Sequence, residues 1–233
     1  MSDNPVPERA GKAVQTRETI LEAALELFAR KGYNQTTLRD IAASAGCSLG
    51  LTYRYFARKE ELILELYRRL ARELNEEVDR LPRAKLAARF GRALDADLKR
   101  LAPHRAALGA LFGAGLSPDS EVALLGERVD DLRALVWSVW LRLITGSSDA
   151  PALPEARNLA AIFYAVHLSL VLFWLQDRSP NQKKTRDLVA FARDMIRLLR
   201  PALGLPPVSR AAARLARIFT PMFGPPPVEK DEG

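Results

Sequence analysis

Tyr53, Arg54 and Tyr55 stand together in the run "CSLGLTYRYFARKEEL", residues 47–62, with Gly50 before them and Lys59 after them. Phenol hydroxyls, a guanidinium and an ammonium are groups that hold phosphate oxygens by hydrogen bonds and charge. On a helical wheel at about 100° per residue, Thr52 and Phe56 share one side and point inward. Tyr53 and Tyr55 flank that side about 200° apart, and Gly50, Leu51 and Arg54 point away from it. A glycine in a short helix costs about 1 kcal/mol against alanine, which makes sense where backbone must come close to another surface. The outer rim is then a bare backbone site, an apolar contact and a cation, edged by two phenols. The competing reading puts either tyrosine in the core with its hydroxyl at the surface.

The elements around this run decide how it is presented. A helix fits 16–31, with Ile20, Leu21, Ala24, Leu27 and Phe28 on one stripe and Gly32 as its stop. Thr37 reads as an N-cap with Asp40 three residues on, for a short helix 37–44. "AGC" makes a tight turn, and Ser48 is a second N-cap, for a helix of about 49–55. "ARKEEL" opens a long helix, roughly 58–80, with acids in its first turn as the macrodipole favours. Two short helices joined by a few residues make a helix-turn-helix, whose second helix lies in the DNA major groove. In that geometry Leu51 can touch a thymine methyl, while Arg54 and the two tyrosine hydroxyls reach phosphates. Lys59, beside free N–H groups at a helix start, suits another phosphate. Lys12 and Arg9 lie in a polar arm, residues 1–14, that either reaches a minor groove or is a mobile terminus.

At this point a resemblance is visible. The segment "ILEAALELFARKGYNQTTLRDIAASAGCSLGLTYRYFARKEEL", within residues 17–65, resembles the DNA-binding domain of TetR-family transcription regulators. The resemblance implies that Thr37 caps the second helix and contacts phosphate, and that Arg39 reaches a base edge or phosphate. It implies that Ser48, Leu49, Gly50 and Leu51 open the recognition helix and read bases, and that Tyr53, Tyr55 and Lys59 grip the backbone. Thr52 departs from the family, which often has a larger apolar residue there. The rest of the chain resembles the family only in length and helical content.

Beyond Pro82 the apolar residues keep helical spacing, roughly 83–101, 104–113, 119–145, 154–177 and 181–200, with breaks at "SPDS" (117–120) and "GSSDAPALP" (146–154). We expect an all-α chain: a three-helix DNA-binding domain with a flexible arm (1–60), a larger helical effector-binding and dimerisation domain (61–203), and a Pro-rich tail with a short helix (204–233). Trp137 and Trp140 sit at i, i+3, and Tyr164 with His167 repeat that spacing. With Phe112 they are candidates to line an apolar pocket with one polar handle. The plainer reading makes them core residues, His167 included. His104, after Pro103, reads as exposed or hinge-like, or as the cap of a pocket mouth. The basic run Arg80, Arg83, Lys85, Arg89, Arg92 reads as a solvated face, with an anionic-ligand gate as the alternative. Arg210, Arg214 and Arg217 beside Leu215, Ile218 and Phe219 make a basic amphipathic segment, expected to pack on the protein; a neighbouring subunit or a membrane surface is the alternative.

Composition sets bounds on function. The chain has 233 residues, 48% hydrophobic, and a net charge of +7. Residues 1–60 carry nine Lys/Arg against seven Asp/Glu, so the positive charge does not concentrate on one site. Cys47 is the single cysteine, placed to pack the turn, and no intrachain disulfide can form. No apolar leader opens the sequence. The most apolar run, Leu159 to Leu175, is short for a membrane span of about 20 residues and reads as a buried helix. There is no phosphate-binding glycine loop, nucleophile motif or metal-ligand cluster, so neither enzyme, cofactor nor metal is expected. The expectation is a cytoplasmic, ligand-responsive DNA-binding regulator, of repressor type, tuned by a small apolar effector. Reading a palindromic operator needs a homodimer, with helices 154–177 and 181–200 as its best surface and no membrane involved. The alternative is a helical small-molecule-binding or interaction protein whose helix-turn-helix does not read DNA.

Overall fold

The computed structural model describes residues 6–116 and 129–225, with side chains from residue 11 on. Helices fill most of the described residues, among which there is no strand. In chain order they are α1 (Val6–Lys31), α2 (Leu38–Ser44), α3 (Leu49–Tyr55), α4 (Lys59–Arg80), α5 (Leu86–Leu101) and α6 (Arg105–Gly115). They continue with α7 (Asp130–Thr145), α8 (Leu153–Gln176), α9 (Lys183–Leu199) and α10 (Pro206–Phe223). The expected helix 119–145 is seen as α7; residues 117–128 lie outside the described residues.

Three boundaries differ from the sequence expectation, each for a local reason. Helix α1 begins at Val6, not at 16, so most of the supposed arm is helical. Pro7 falls in the first turn, where a missing N–H does no harm, and no proline follows in that helix. Helix α5 begins at Leu86, because the Asp149 carboxylate accepts the Leu86 N–H at 2.7 Å and so fixes the start from a distant loop. The tail segment expected over Ser209–Phe219 is an 18-residue helix, α10, packed across α8. Its far end is held twice: Arg133 on α7 donates to the Pro221 carbonyl at 3.3 Å, and the Tyr164 and Phe223 rings meet at 5.5 Å.

Helices α1 to α3 close over Ile20, Leu21, Ala24, Leu27, Ile41 and Phe56, all buried. The amphipathic α4 runs from this head into the body, where it packs on α5, α6 and α7. Helix α8 is long and apolar enough to cross a membrane by length and composition. Its Ala156, Ala160, Leu170, Val171 and Trp174 are instead buried in the body, where α7 and α10 pack on it. Each large apolar side chain so buried contributes roughly 1.5–3 kcal/mol.

Arg89 is a correction. The basic run around it reads as a solvated face, yet Arg89 is only 4% exposed. Its guanidinium donates to the carbonyls of Val78, Leu81, Pro82 and Leu143 at 2.8–3.1 Å. A cation at the C-terminal ends of α4 and α7 satisfies carbonyls that helix ends leave open, and complements both dipoles.

Candidate nucleic-acid interface and effector core

The turn between α2 and α3 is built from backbone chemistry. Gly46 has φ +65°, a left-handed conformation that disfavours a Cβ. The Cys47 N–H reaches the Ala42 carbonyl at 2.9 Å and the Gly46 N–H reaches Ala43 at 3.3 Å, the paired bonds of a Schellman motif. Ser48 then caps α3, its hydroxyl accepting the Leu51 N–H at 3.1 Å. On the other side Thr37 and Asp40 form a reciprocal capping box at the start of α2. Lys31 also pairs with Asp40 at 2.7 Å. The ammonium and the Thr37 hydroxyl together hold the Asp40 carboxyl well below its usual range.

These caps fix which side chains of α3 face out. Thr52 is fully buried and Phe56 is 1% exposed, as the wheel expects. Ser48, Gly50 and Arg54 are exposed, Leu49 and Leu51 half-buried, and Tyr53 is 52% exposed. Tyr55 is half-buried with its ring packed on the core. Arg39 is exposed on α2. A Cβ added to Gly50 would meet no protein atom within 4 Å, so nothing in this chain requires a glycine there. Two candidates already have partners inside the chain. The Thr37 hydroxyl serves the capping box. Lys59 donates to the Tyr33 carbonyl at 2.9 Å and lies 4.3 Å above the Tyr33 ring. Two of its three N–H donors are left after that bond.

Helix α4 joins this head to the body through ion pairs. Glu65, 7% exposed, accepts from Arg17 of α1 at 2.9 Å and from Arg72 at 3.0 Å, and this pairing lowers its pKa against the opposing effect of burial. Arg68 lies 3.7 Å from Glu65 and pairs with Asp131 of α7 at 2.8 Å. Arg69 reaches Glu18 and Glu22 of α1. His104 is half-buried; burial and the neighbouring Arg69 charge lower its pKa.

Four of the five proposed pocket residues lie in the body core. Phe112, Trp140, Tyr164 and His167 are each 3% exposed or less. Trp140 and His167 rings are 5.1 Å apart, with Phe90 and Phe163 beside Trp140. Trp137 is half-buried on α7 and is not among the rings in contact with this group. Two members were invisible in the sequence. Asp97 of α5, 3% exposed, holds His167 Nε2 at 2.8 Å. Tyr67 of α4 packs edge-on against Phe112 at 5.8 Å, and burial, Tyr164 and Asp97 together push its pKa well above the ordinary phenol value. Among the described residues, the buried polar atoms Tyr67 Oη, Trp140 Nε1 and His167 Nδ1 have no hydrogen-bond partner. A buried donor or acceptor without any partner costs about 1–3 kcal/mol.

A second apolar feature lies at the surface. Helices α8, α9 and α10 enclose a groove of about 810 Å³, and among the described residues Ser169 and Arg200 are its only polar lining. Phe173, Phe191, Leu199 and Leu215 around it are 40–59% exposed.

Residues 20–66 match the family model described as "Bacterial regulatory proteins, tetR family". The HTH-type transcriptional repressor KstR2 of Mycobacterium tuberculosis is 46% identical over 59 residues, 25% of this chain and 30% of that protein. That match spans under a third of the relative's length. The uncharacterized HTH-type transcriptional regulator YhgD of Bacillus subtilis is 24% identical over 176 residues, 74% of this chain and 91% of that protein. A tetR-family regulator structure from Streptomyces coelicolor has a TM-score of 0.56 at 22% identity, covering 88% of this chain and 89% of that one. One from Nitrosomonas europaea has a TM-score of 0.54 at 22% identity, covering 77% and 96%. These two likenesses concern the fold.

Proposed function

The chain carries the DNA-binding domain of the TetR family of bacterial regulatory proteins, and from that premise we propose that it is a homodimeric transcriptional repressor released or engaged by a small, mostly apolar effector. One observation supports DNA reading above the others. The outer rim of α3 combines the exposed Gly50, with open space where a Cβ would be, Tyr53 and Arg54 with the half-buried Leu51. Leu49, Gly50 and Leu51 read bases; Tyr53, Arg54, Tyr55 and the remaining donors of Lys59 hold phosphates, with Arg39 at the flank. Two such heads must sit about 34–36 Å apart to read a palindrome, which calls for a dimer. The exposed apolar residues of α8 and α9 supply a surface for it, with two helices from each subunit. The effector belongs in the core around Trp140, Tyr164 and His167, where it touches α4, the helix that leads to the heads.

The test is selection of binding sequences from random duplex DNA at low salt, followed by gel-shift titration. Retention of a palindromic sequence, lost in Tyr53→Ala with Arg54→Ala, supports the reading. Absence of any retained DNA rejects it and leaves a helical small-molecule-binding protein.

A further inference from the structure

Side-chain pairings show which helix ends of the body lie together. Far from the head, Arg142 of α7 meets Asp79 of α4 at 2.6 Å, and Asp149 accepts from the start of α5 and from Arg200 after α9. Near the head, Arg68 of α4 meets Asp131 at the start of α7 at 2.8 Å. There the turn Ala102–His104 packs on α1, and Arg105 just after it donates to the carbonyls of Trp174, Leu175 and Asp177 at 2.6–3.2 Å. The loop from α8 to α9 therefore lies at the end of the body next to the head.

That loop is fixed in place and basic. Asn181 and Gln182 are both left-handed, at φ 51° and 54°, a conformation that persists only where the surroundings hold it. The Asn181 carbonyl accepts from Arg186 at 2.5 Å, and the Gln182 side-chain oxygen accepts from Trp174 Nε1 at 2.8 Å. The acids nearby are occupied within the loop and the first turn of α9. Asp177 accepts from Ser179 and Thr185, and Asp187 pairs with Lys183 at 2.7 Å. Among the described residues, no carboxylate pairs with Arg105, Arg178, Lys184 or Arg186. Arg178, Lys184 and Arg186 are exposed, and the three arginines line an open depression of about 610 Å³.

We propose that this loop is a second DNA-contacting surface, whose Arg178, Lys184 and Arg186 hold phosphates of the operator between its two half-sites. The inference rests on the reading above of a DNA-binding dimer paired through α8 and α9. In such a two-fold dimer both copies of the loop flank the axis, between the two heads. Two heads one helical turn apart leave a stretch of duplex between them, and its backbone faces the axis. Cations there add affinity without reading sequence.

The test uses the full chain and the operator selected from random duplex DNA, in two forms: unmodified, and with neutral methylphosphonates in place of the central phosphates. The variant is Arg178→Ala with Lys184→Ala, two side chains that make no hydrogen bond or ion pair among the described residues. Melting and sedimentation should match the parent. On the unmodified operator the variant should bind at least about tenfold more weakly, and the slope of log affinity against log salt should fall by about 3–4, roughly 0.9 for each of four cations lost from a dimer. The preferred sequence should not change. Neutralising the centre should weaken the parent by a similar factor and the variant hardly at all, because the same contacts are already missing. The proposal is overturned if the variant keeps the parent's affinity and salt slope, or if both proteins lose equally on the neutralised operator. It is also overturned if the variant loses binding of inorganic pyrophosphate, titrated by calorimetry, while its DNA affinity is unchanged, since the loop then serves a small anion. A parent that retains no DNA rejects the regulatory reading itself; a parent that binds DNA beside an unaffected variant rejects only the role of the loop.

Discussion

Arg17 lies with its guanidinium carbon 5.0 Å above the Phe56 ring while donating to Glu65 at 2.9 Å. One side chain of α1 thus touches both the residue that ends α3 and the buried carboxylate of α4. Glu65→Gln should lower stability by about 1 kcal/mol, a hydrogen bond to a charged group discounted because Arg17 is 41% exposed. Its pH dependence follows from the sign of the shift. Folding lowers the Glu65 pKa, so its contribution is present above the unfolded value near 4.5 and is lost as pH falls through the folded value. Urea titrations of the parent should show that loss on acidification, and Glu65→Gln should flatten the curve.

At the turn, Gly46→Ala forces a Cβ into a left-handed conformation at φ +65°. We expect a loss of about 1–2 kcal/mol, read as a lower urea midpoint, with weaker DNA binding because α3 is re-aimed.

Arg54→Ala should weaken DNA binding for all sequences alike and reduce the slope of log affinity against log salt by about 1. Lys59→Ala should behave differently. It removes the contacts to the Tyr33 carbonyl and ring as well, so thermal melting should fall together with affinity. A Lys59→Ala protein that loses affinity with no change in melting would show that those contacts add nothing to stability.

Arg89→Met leaves four carbonyls without their donor in a site 4% exposed. About 2–3 kcal/mol should be lost, visible by urea denaturation, and hydrogen exchange should rise at the C-terminal ends of α4 and α7 first.

For the proposed dimer surface, Phe191→Glu with Leu198→Glu alters two side chains that are 59% and 68% exposed. The monomer fold should be unharmed. Sedimentation should shift to half the mass, and DNA retention should disappear with it.

The head was legible because its signals are local. Thr37, Gly46 and Ser48 each act on backbone groups within a few residues, and the boundaries of α2 and α3 fall within a residue of where they point. The body was legible only as helices. Arg89 and Asp97 sit in a charged amphipathic stretch, and nothing in that spacing separates a solvated charge from one buried against distant carbonyls or a histidine 70 residues away. Asp149 is similar: a loop residue whose role, capping α5 and accepting from Arg200, depends on segments distant in sequence that meet only after folding. Trp137 shows how little spacing alone fixes. Spacing at i, i+3 put it beside Trp140, but α7 turns it half out of the core.

The strap formed by α10 has a practical consequence for anyone shortening this protein. Deleting everything after Leu205 would uncover Tyr164 and a long stripe of α8 and strip Arg133 of its Pro221 acceptor. Such a trimmed chain should precipitate or self-associate through the newly wetted stripe.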